Sequence, residues 1–479
     1  MTKMSRSRSG RAAQLGGLVG SETVKFAAHR TADLVRPDAK AAEAEQARNA
    51  MLAERLVAVL GSMRGVSMKL GQMLSLIDPG FVPPEHREFF QSSMARLQDH
   101  ATPVPWSRMR TQLVAGLGAE LSTVFAEFDQ EPVAAASIGQ VYKARTTDGR
   151  AVAVKVQYPG IEAAVLADLK NLRTMLSAFR LLRPKLDTAS LADEFGVRVR
   201  EELDYRIEAR HTRLLADAYR GHPFIRIPDV LQPLSSQRVI VTEWLDGQPL
   251  GSAYTAPQTE RDRIAEIVFR FYGGAPYLLR HYSGDPHPGN VLLLADGSVG
   301  FLDFGLCKSV DADTAEAELA ALRAGITGDI ARVVELMEMR GFARESDVSA
   351  EAAYGAFMRV FGWYLCDERA RITPDIANDL AAMIGFGSSN SGVSLRPYNL
   401  PAAHALRGRA ELQLAAILGQ LRPCVNLHRI AREWIFDAEP ATELGRVQRD
   451  WHERHRAGMA PSRPPTSVTC QPEFRSTVM

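Results

Sequence analysis

The 479-residue sequence predicts an α+β fold in two lobes, preceded by a helical extension. Three observations predict it. Residues 124–160 alternate apolar and polar positions around glycine-bearing turns, as strands do. Long stretches with apolar residues at helical intervals flank that block. Two short apolar runs, VLLL and GFLDFG, then bracket Asp296-Gly297 as a second hairpin.

Residues 1–45 mix basic, Ala and Gly residues and read as a loose arm leading into helix. In 46–123, Met51, Leu56, Leu60, Met63, Leu70, Leu74 and Ile77 recur at helical spacing, and DPGFVPPE, from Asp78 to Glu85, interrupts the pattern. The third segment, 124–248, opens as strand, Ala-rich turn, strand, a turn at Asp148-Gly149, and strand. Helices then run from Ile161 to about Tyr219, and RIPDVLQPLSSQRVIVTEWLDG returns to strand. Segment 249–440 is mostly helical around the VLLL and GFLDFG runs. The end, 441–479, is rich in Pro and Ser near its close and is expected to be disordered.

Composition narrows the function. Fifty-seven basic and 56 acidic residues leave a net charge of +1, which argues against a dedicated nucleic-acid binder. Cys307, Cys366, Cys424 and Cys470 lie far apart, with no CxxC pair, so a reducing compartment is expected and a disulfide framework is not. The basic N-terminus is not followed by the apolar stretch of a secretory signal. No apolar run reaches the roughly 18 residues of a membrane span, so a cytoplasmic protein is expected, with surface attachment left open.

Three motifs carry chemistry. Lys155 sits inside the strand-like VAVKV, where it is either a solvent-facing edge residue or a buried cation needing a carboxylate or phosphate. In GDPHPGN, Asp285 and Asn290 are five positions apart across a turn held by Pro286, Pro288 and Gly289. That spacing matches the catalytic-loop pair of kinases, an aspartate that orients a proton and an asparagine whose carbonyl suits magnesium. LDFGL then ends an apolar run with Asp303, placed to bridge metal and phosphate oxygens, followed by Phe304 and Gly305. Each motif is common alone, whereas their order is not. The acidic EELDYRIEAR offers Glu201, Glu202, Asp204 and Glu208 as counter-charges, of which Glu208 is assigned to Lys155. VTEWLDG resembles a hinge whose Glu243-to-Leu245 backbone meets an adenine edge.

These residues resemble the UbiB/ADCK (ABC1) family of atypical kinases over roughly residues 45–310, with compatible helical sequence to about 435. The family's KxGQ motif matches Lys69, Gly71 and Gln72 in MKLGQ, and its alanine-rich nucleotide loop matches Ala134, Ala135, Ala136 and Ser137. Glu202 and Asp204 match its ExD element, Glu208 its lysine-pairing glutamate, and Asp285, Asn290 and Asp303 its catalytic and metal-binding residues. The resemblance implies a bilobal protein-kinase-like fold, ATP or ADP with Mg2+, and a lid in which Lys69 pairs with Glu202. Physically, three consecutive alanines hinder the tight turn that glycines permit, while Gly139 and neighbouring amides remain able to meet phosphate.

The function expected is therefore a Mg-dependent ATPase or atypical phosphotransferase supporting isoprenoid-quinone or other lipid metabolism. The resemblance further implies a lipid or quinone-precursor ligand, quinone-biosynthesis proteins as partners, and peripheral attachment to the inner face of a membrane. Two alternatives stand beside it. One is a nucleotide-gated module that binds lipid or protein with little phosphotransfer. The other is a small-molecule kinase resembling aminoglycoside phosphotransferases, in which His287 of SGDPHPGN organises the loop.

Overall fold

The computed structural model describes residues 104–136, 138–166, 199–342, 349–384 and 401–458, with a few isolated positions between 167 and 198. The KxGQ residues Lys69, Gly71 and Gln72, the extension before residue 104, Ser137 and the last 21 residues lie outside the described residues. The architecture is α+β and kinase-like, with sheets that are antiparallel except where Ile225–Arg226 runs parallel to Val299–Phe301, beside a helical C-terminal region.

The first sheet is built on alternation. Strands β1 (Phe125–Phe128), β2 (Ala134–Ala135), β3 (Gly139–Thr146), β4 (Ala151–Gln157) and β6 (Val239–Glu243) pair in the order β1-β3-β4-β6, with β2 on the same edge of β3 as β1. Two of the three alanines expected in a turn thus form a short strand, Ala134 opposite Val141 and Ala135 opposite Gln140. In β4, Val152, Val154 and Val156 are fully buried, and helix α1 (Trp106–Leu117) covers that face with Met109 and Leu113. Each such side chain contributes about 1.5–3 kcal/mol by leaving water. A period of two sends Lys155 to the opposite face, in mid-sheet between Val141 and Ile240.

Helix α2 (Tyr205–Ala218) closes that opposite face. Asp204 caps it, accepting the Arg206 amide at 3.0 Å. Its buried residues Tyr205, Glu208, Ala209, Thr212, Leu215 and Ala216 form one helical stripe, which carries a carboxylate at Glu208.

The second half is organised around helix α3 (Gln258–Leu278), buried on all sides from Ile264 to Pro276. Strands β5 (Ile225–Arg226), β7 (Gly247–Pro249), β9 (Val291–Leu294) and β10 (Val299–Phe301) form a second sheet beside it. A two-stranded ribbon joins β8 (His281–Ser283) to β11 (Cys307–Ser309). Phe301 stacks on Phe271 with centroids 3.9 Å apart, and Phe304 packs edge-on to the same ring, so the chain on either side of Asp303 is anchored in the core. Helices α4 (Ala312–Thr327), α5 (Ile330–Met339), α6 (Ala350–Leu365), α7 (Pro374–Ile384), α8 (Ala402–Leu421) and α9 (Leu427–Ile435) complete the helical part.

The expectation of disorder from residue 441 is corrected at its start: Glu443–Gly458 forms helix α10. Its anchor is Trp451, 7% exposed, which packs edge-on against His222 and stacks with His455. Arg270, buried inside α3, ties the approach to this helix by bonding Glu433 at 2.7 Å and Thr442 at 3.0 Å. Among the described residues, no helix is long and apolar enough to cross a membrane.

Candidate nucleotide site

Where β4, α2 and the turn after β10 meet, Lys155 Nζ lies 2.8 and 3.0 Å from the two Glu208 carboxylate oxygens and 3.2 Å from Asp303 Oδ2. The Lys155 and Glu208 side chains are 14% and 10% exposed, against 32% for Asp303. A buried ammonium is stable only with its charge answered. Burial pulls the Lys155 pKa down, but the carboxylates of Asp303 and Glu208 outweigh it and hold the ammonium well above the ordinary lysine range. The Tyr205 ring lies 5.3 Å beneath the same ammonium and adds a cation–π contact. The solvent-facing edge reading of Lys155 is thereby removed.

Asp303 occupies a left-handed backbone conformation, φ 59°, which costs a non-glycine residue about 1–2 kcal/mol. Its Oδ1 accepts the Gly305 amide at 3.1 Å, and its other oxygen faces Lys155. Asn290 sits beside it: the Asn290 carbonyl accepts the Leu302 amide at 2.8 Å, fixing the end of one loop against the residue before Asp303. The backbone bond brings Asn290 and Asp303, which carry an amide and a carboxylate, to neighbouring positions. Hard oxygens of this kind, one of them a half-open carboxylate, fit Mg2+.

Asp285 follows the ribbon strand β8 and is 9% exposed. Its carboxylate is bonded to the Arg409 guanidinium of α8 and accepts Gln413 Nε2 at 3.2 Å through the same oxygen. His287 Nδ1 accepts the Gly289 amide at 3.1 Å.

The remaining sequence candidates fall into two groups. Glu202 is buried two residues before the α2 cap Asp204, whose carboxyl is held below the usual range by Arg206. Its expected partner, Lys69, lies outside the described residues. Gly139 is buried, and a Cβ there would lie 2.3 Å from the Val156 carbonyl and 2.8 Å from the Tyr205 hydroxyl. Close packing of β3 on β4 and α2 is therefore a sufficient reason for this glycine. The Ala136 amide donates to the Gly139 carbonyl at 2.8 Å, whereas Ala134 and Ala135 are exposed. At the end of β6, the Glu243 amide donates to the Asp229 carbonyl and the Trp244 amide to the Ala151 carbonyl, and Leu245 is buried against Gly300.

Sequence reasoning missed Arg409, Gln413 and Tyr205. An arginine and a glutamine four positions apart in α8 share one helical face, which is the available signal. Nothing in that spacing names Asp285 as their partner.

Comparison with known proteins agrees with this architecture. The model of the ABC1 atypical kinase-like domain matches residues 96–337. Atypical kinase coq-8, mitochondrial, of Caenorhabditis elegans is 32% identical over 295 residues, covering 60% of this chain and 38% of that protein. Protein ACTIVITY OF BC1 COMPLEX KINASE 1, chloroplastic, of Arabidopsis thaliana is 31% identical over 302 residues, covering 59% and 44%. The chain thus matches about two fifths of the length of these two relatives. A Mycobacterium tuberculosis protein solved in complex with erythromycin superposes with a TM-score of 0.59 at 30% identity, covering 80% of this chain and 95% of that one. With half of its length inside the family model, the chain belongs to the ABC1 atypical kinase-like family.

Proposed function

We propose that this protein is a Mg-dependent, ATP-binding atypical kinase or ATPase that supports isoprenoid-quinone or other lipid metabolism. The observation carrying the proposal is the bridge of Lys155 between Glu208 and Asp303, contributed by three separate stretches of chain. Glu208 holds the ammonium in place so that Lys155 can meet phosphate oxygens. Asn290 and Asp303 would hold the metal, which when bound neutralises phosphate charge. Asp285 orients the attacking hydroxyl or water, with Arg409 fixing its rotamer. The backbone from Glu243 to Leu245 meets the base, the loop from Ala134 to Ser137 with Gly139 lies over the phosphates, and Lys69, Gly71 and Gln72 with Glu202 and Asp204 close the cleft as a lid. In this reading 124–248 is the nucleotide lobe and 249–440 the catalytic lobe, and the protein works as a peripheral partner at a membrane surface.

The experiment is phosphate release and nucleotide binding by the purified full chain. Asp303→Asn and Lys155→Ala are expected to abolish metal-dependent turnover. Undiminished turnover in both variants sinks the assignment. A second reading, nucleotide-gated binding with little transfer, is favoured by the engagement of Asp285 by Arg409 and Gln413, which occupies an oxygen that a general base uses. Normal ATP binding with no phosphate release, together with nucleotide-dependent binding to anionic lipid vesicles, selects that reading.

A further inference from the structure

Beneath the Lys155–Glu208 pair lies a cluster that the nucleotide reading does not use. His211 follows Glu208 by three residues on α2, so the two side chains share a face. His281 opens β8 and Cys307 opens β11. In the antiparallel ribbon Cys307 pairs with Ser283 and Ser309 with His281, which puts His281 and Cys307 on one face as diagonal neighbours. One ligand atom from each of His211, His281 and Cys307 lies within 4.8 Å of the other two. His281 and Cys307 are 2% and 3% exposed, while His211 is half-buried at the opening of the cluster.

The second observation is the state of the His281 ring. Nδ1 lies 3.0 Å from Ser309 Oγ, whereas Nε2 is buried with no hydrogen-bond partner. Buried polar atoms are rarely left so. With Nδ1–H directed at the serine oxygen, Nε2 carries the lone pair, the arrangement by which an outer partner sets a ligating imidazole.

We propose that His211, His281 and Cys307 form a zinc site that clamps α2 to the β8–β11 ribbon. The donor set, two imidazoles and a thiolate, suits Zn2+ and not the hard Mg2+ ion, and three protein ligands leave one position for water. Loading releases one proton: the Cys307 thiol gives it to solvent as its sulfur bonds the metal. Tetrahedral zinc sets its ligand atoms about 3.3–3.7 Å apart. The set must therefore close by up to about 1.5 Å relative to its present spread. The His211 and His281 rings, stacked at 4.9 Å, turn out of their stack to do so. The consequence is a brace. Zinc would join the helix bearing Glu208 to the strands flanking Asp285 and Asp303, stiffening the cleft without touching nucleotide.

The test uses the full chain without a polyhistidine tag. After exposure to one equivalent of ZnCl2 and gel filtration, elemental analysis is expected to find about one zinc per chain, and cobalt substitution a thiolate-to-cobalt charge-transfer band. Cys307→Ser should abolish the band, and His211→Gln and His281→Gln should each weaken zinc affinity at least about tenfold. Cys366→Ser and Cys424→Ser should leave both readouts unchanged. If Cys307→Ser fails to fold, the partly exposed His211→Gln decides the matter alone. Absence of zinc, or zinc retained equally by the His211 and Cys307 variants, overturns the proposal and leaves a stacked histidine pair packed on a thiol. ATP binding is read separately, so a chain that binds zinc but no nucleotide refutes the kinase reading and not this one.

Discussion

The Arg409 guanidinium is bonded to the Asp285 carboxylate across 124 residues of sequence, and both groups are buried. This pair joins α8 to the loop that carries the proposed catalytic aspartate. A buried ion pair is weak evidence of net stability, because desolvation opposes the attraction. Breaking it from one side is a different matter, since the charge left behind stays in a low-dielectric site.

Arg409→Ala is accordingly expected to destabilise the protein by about 3–5 kcal/mol, read as a lower midpoint in urea. Arg409→Lys keeps a charge but not the planar fork, and should recover only part of that loss. If the lysine variant folds fully, ATP affinity should stay near wild type while phosphate release falls about 10²-fold, because Asp285 loses its fixed orientation. Release unchanged in a folded Arg409→Lys protein would remove Arg409 from the mechanism.

Lys155 and Glu208 make a second coupled pair. Glu208→Ala takes one of the two carboxylates from Lys155, and Lys155→Ala takes from Glu208 and Asp303 the cation they share. Each single change should cost several kcal/mol, and the double variant less than their sum, with a coupling of about 0.5–3 kcal/mol in a denaturation cycle. Strict additivity would mean that the two groups do not sense each other in solution.

How much of this was legible follows from where each partner sits. The strand-like run around Lys155 left two readings open, and the order of the motifs bearing Lys155, Asp285, Asn290 and Asp303 favoured the charged site. Glu208 followed because a mid-sheet cation demands a carboxylate and the acidic helix offered few. Arg409 was not legible: polar and apolar residues are spread around α8, and the target of its arginine is set by tertiary packing. Helix α10 was missed for a similar reason. Its sequence, ELGRVQRDWHERHRAG, is strongly charged, and its order depends on one tryptophan meeting His222 and on the buried Arg270 network. The alanine loop was misjudged in part because Ala134 and Ala135 extend the edge of β3, a pairing that composition does not reveal.

Gly139 separates packing from ligand contact. A Cβ would stand 2.3 Å from the Val156 carbonyl, a backbone atom that cannot swing aside. Gly139→Ala should therefore destabilise the fold by about 1–3 kcal/mol by forcing β3 away from β4. Thermal unfolding without nucleotide measures this directly. A variant as stable as wild type that nonetheless loses ATP affinity would show that the glycine serves phosphate and not packing.

Acid stability reports on His222. This ring is 5% exposed, accepts the Phe224 and Ile225 amides through Nδ1 at 3.3 and 3.1 Å, and meets Trp451 of α10 edge-on. Burial, with smaller effects from His452 and Arg270, lowers its pKa from 6.5 to about 3. The unfolded chain thus takes up this proton first as the medium acidifies, so its contribution is intact above pH 6.5 and is lost progressively from there down to about pH 3. The slope per proton is about 1.4 kcal/mol per pH unit. His222→Gln removes the titration while keeping an oxygen acceptor for the two amides. Its stability at neutral pH should be lower than wild type, but the gap should narrow as the pH falls from 6.5 toward 4.5, measured by urea unfolding at each pH. Parallel curves over that range would mean that the ring takes up its proton as readily in the folded protein as in the unfolded chain, and that the contact between α10 and the core tolerates a charge.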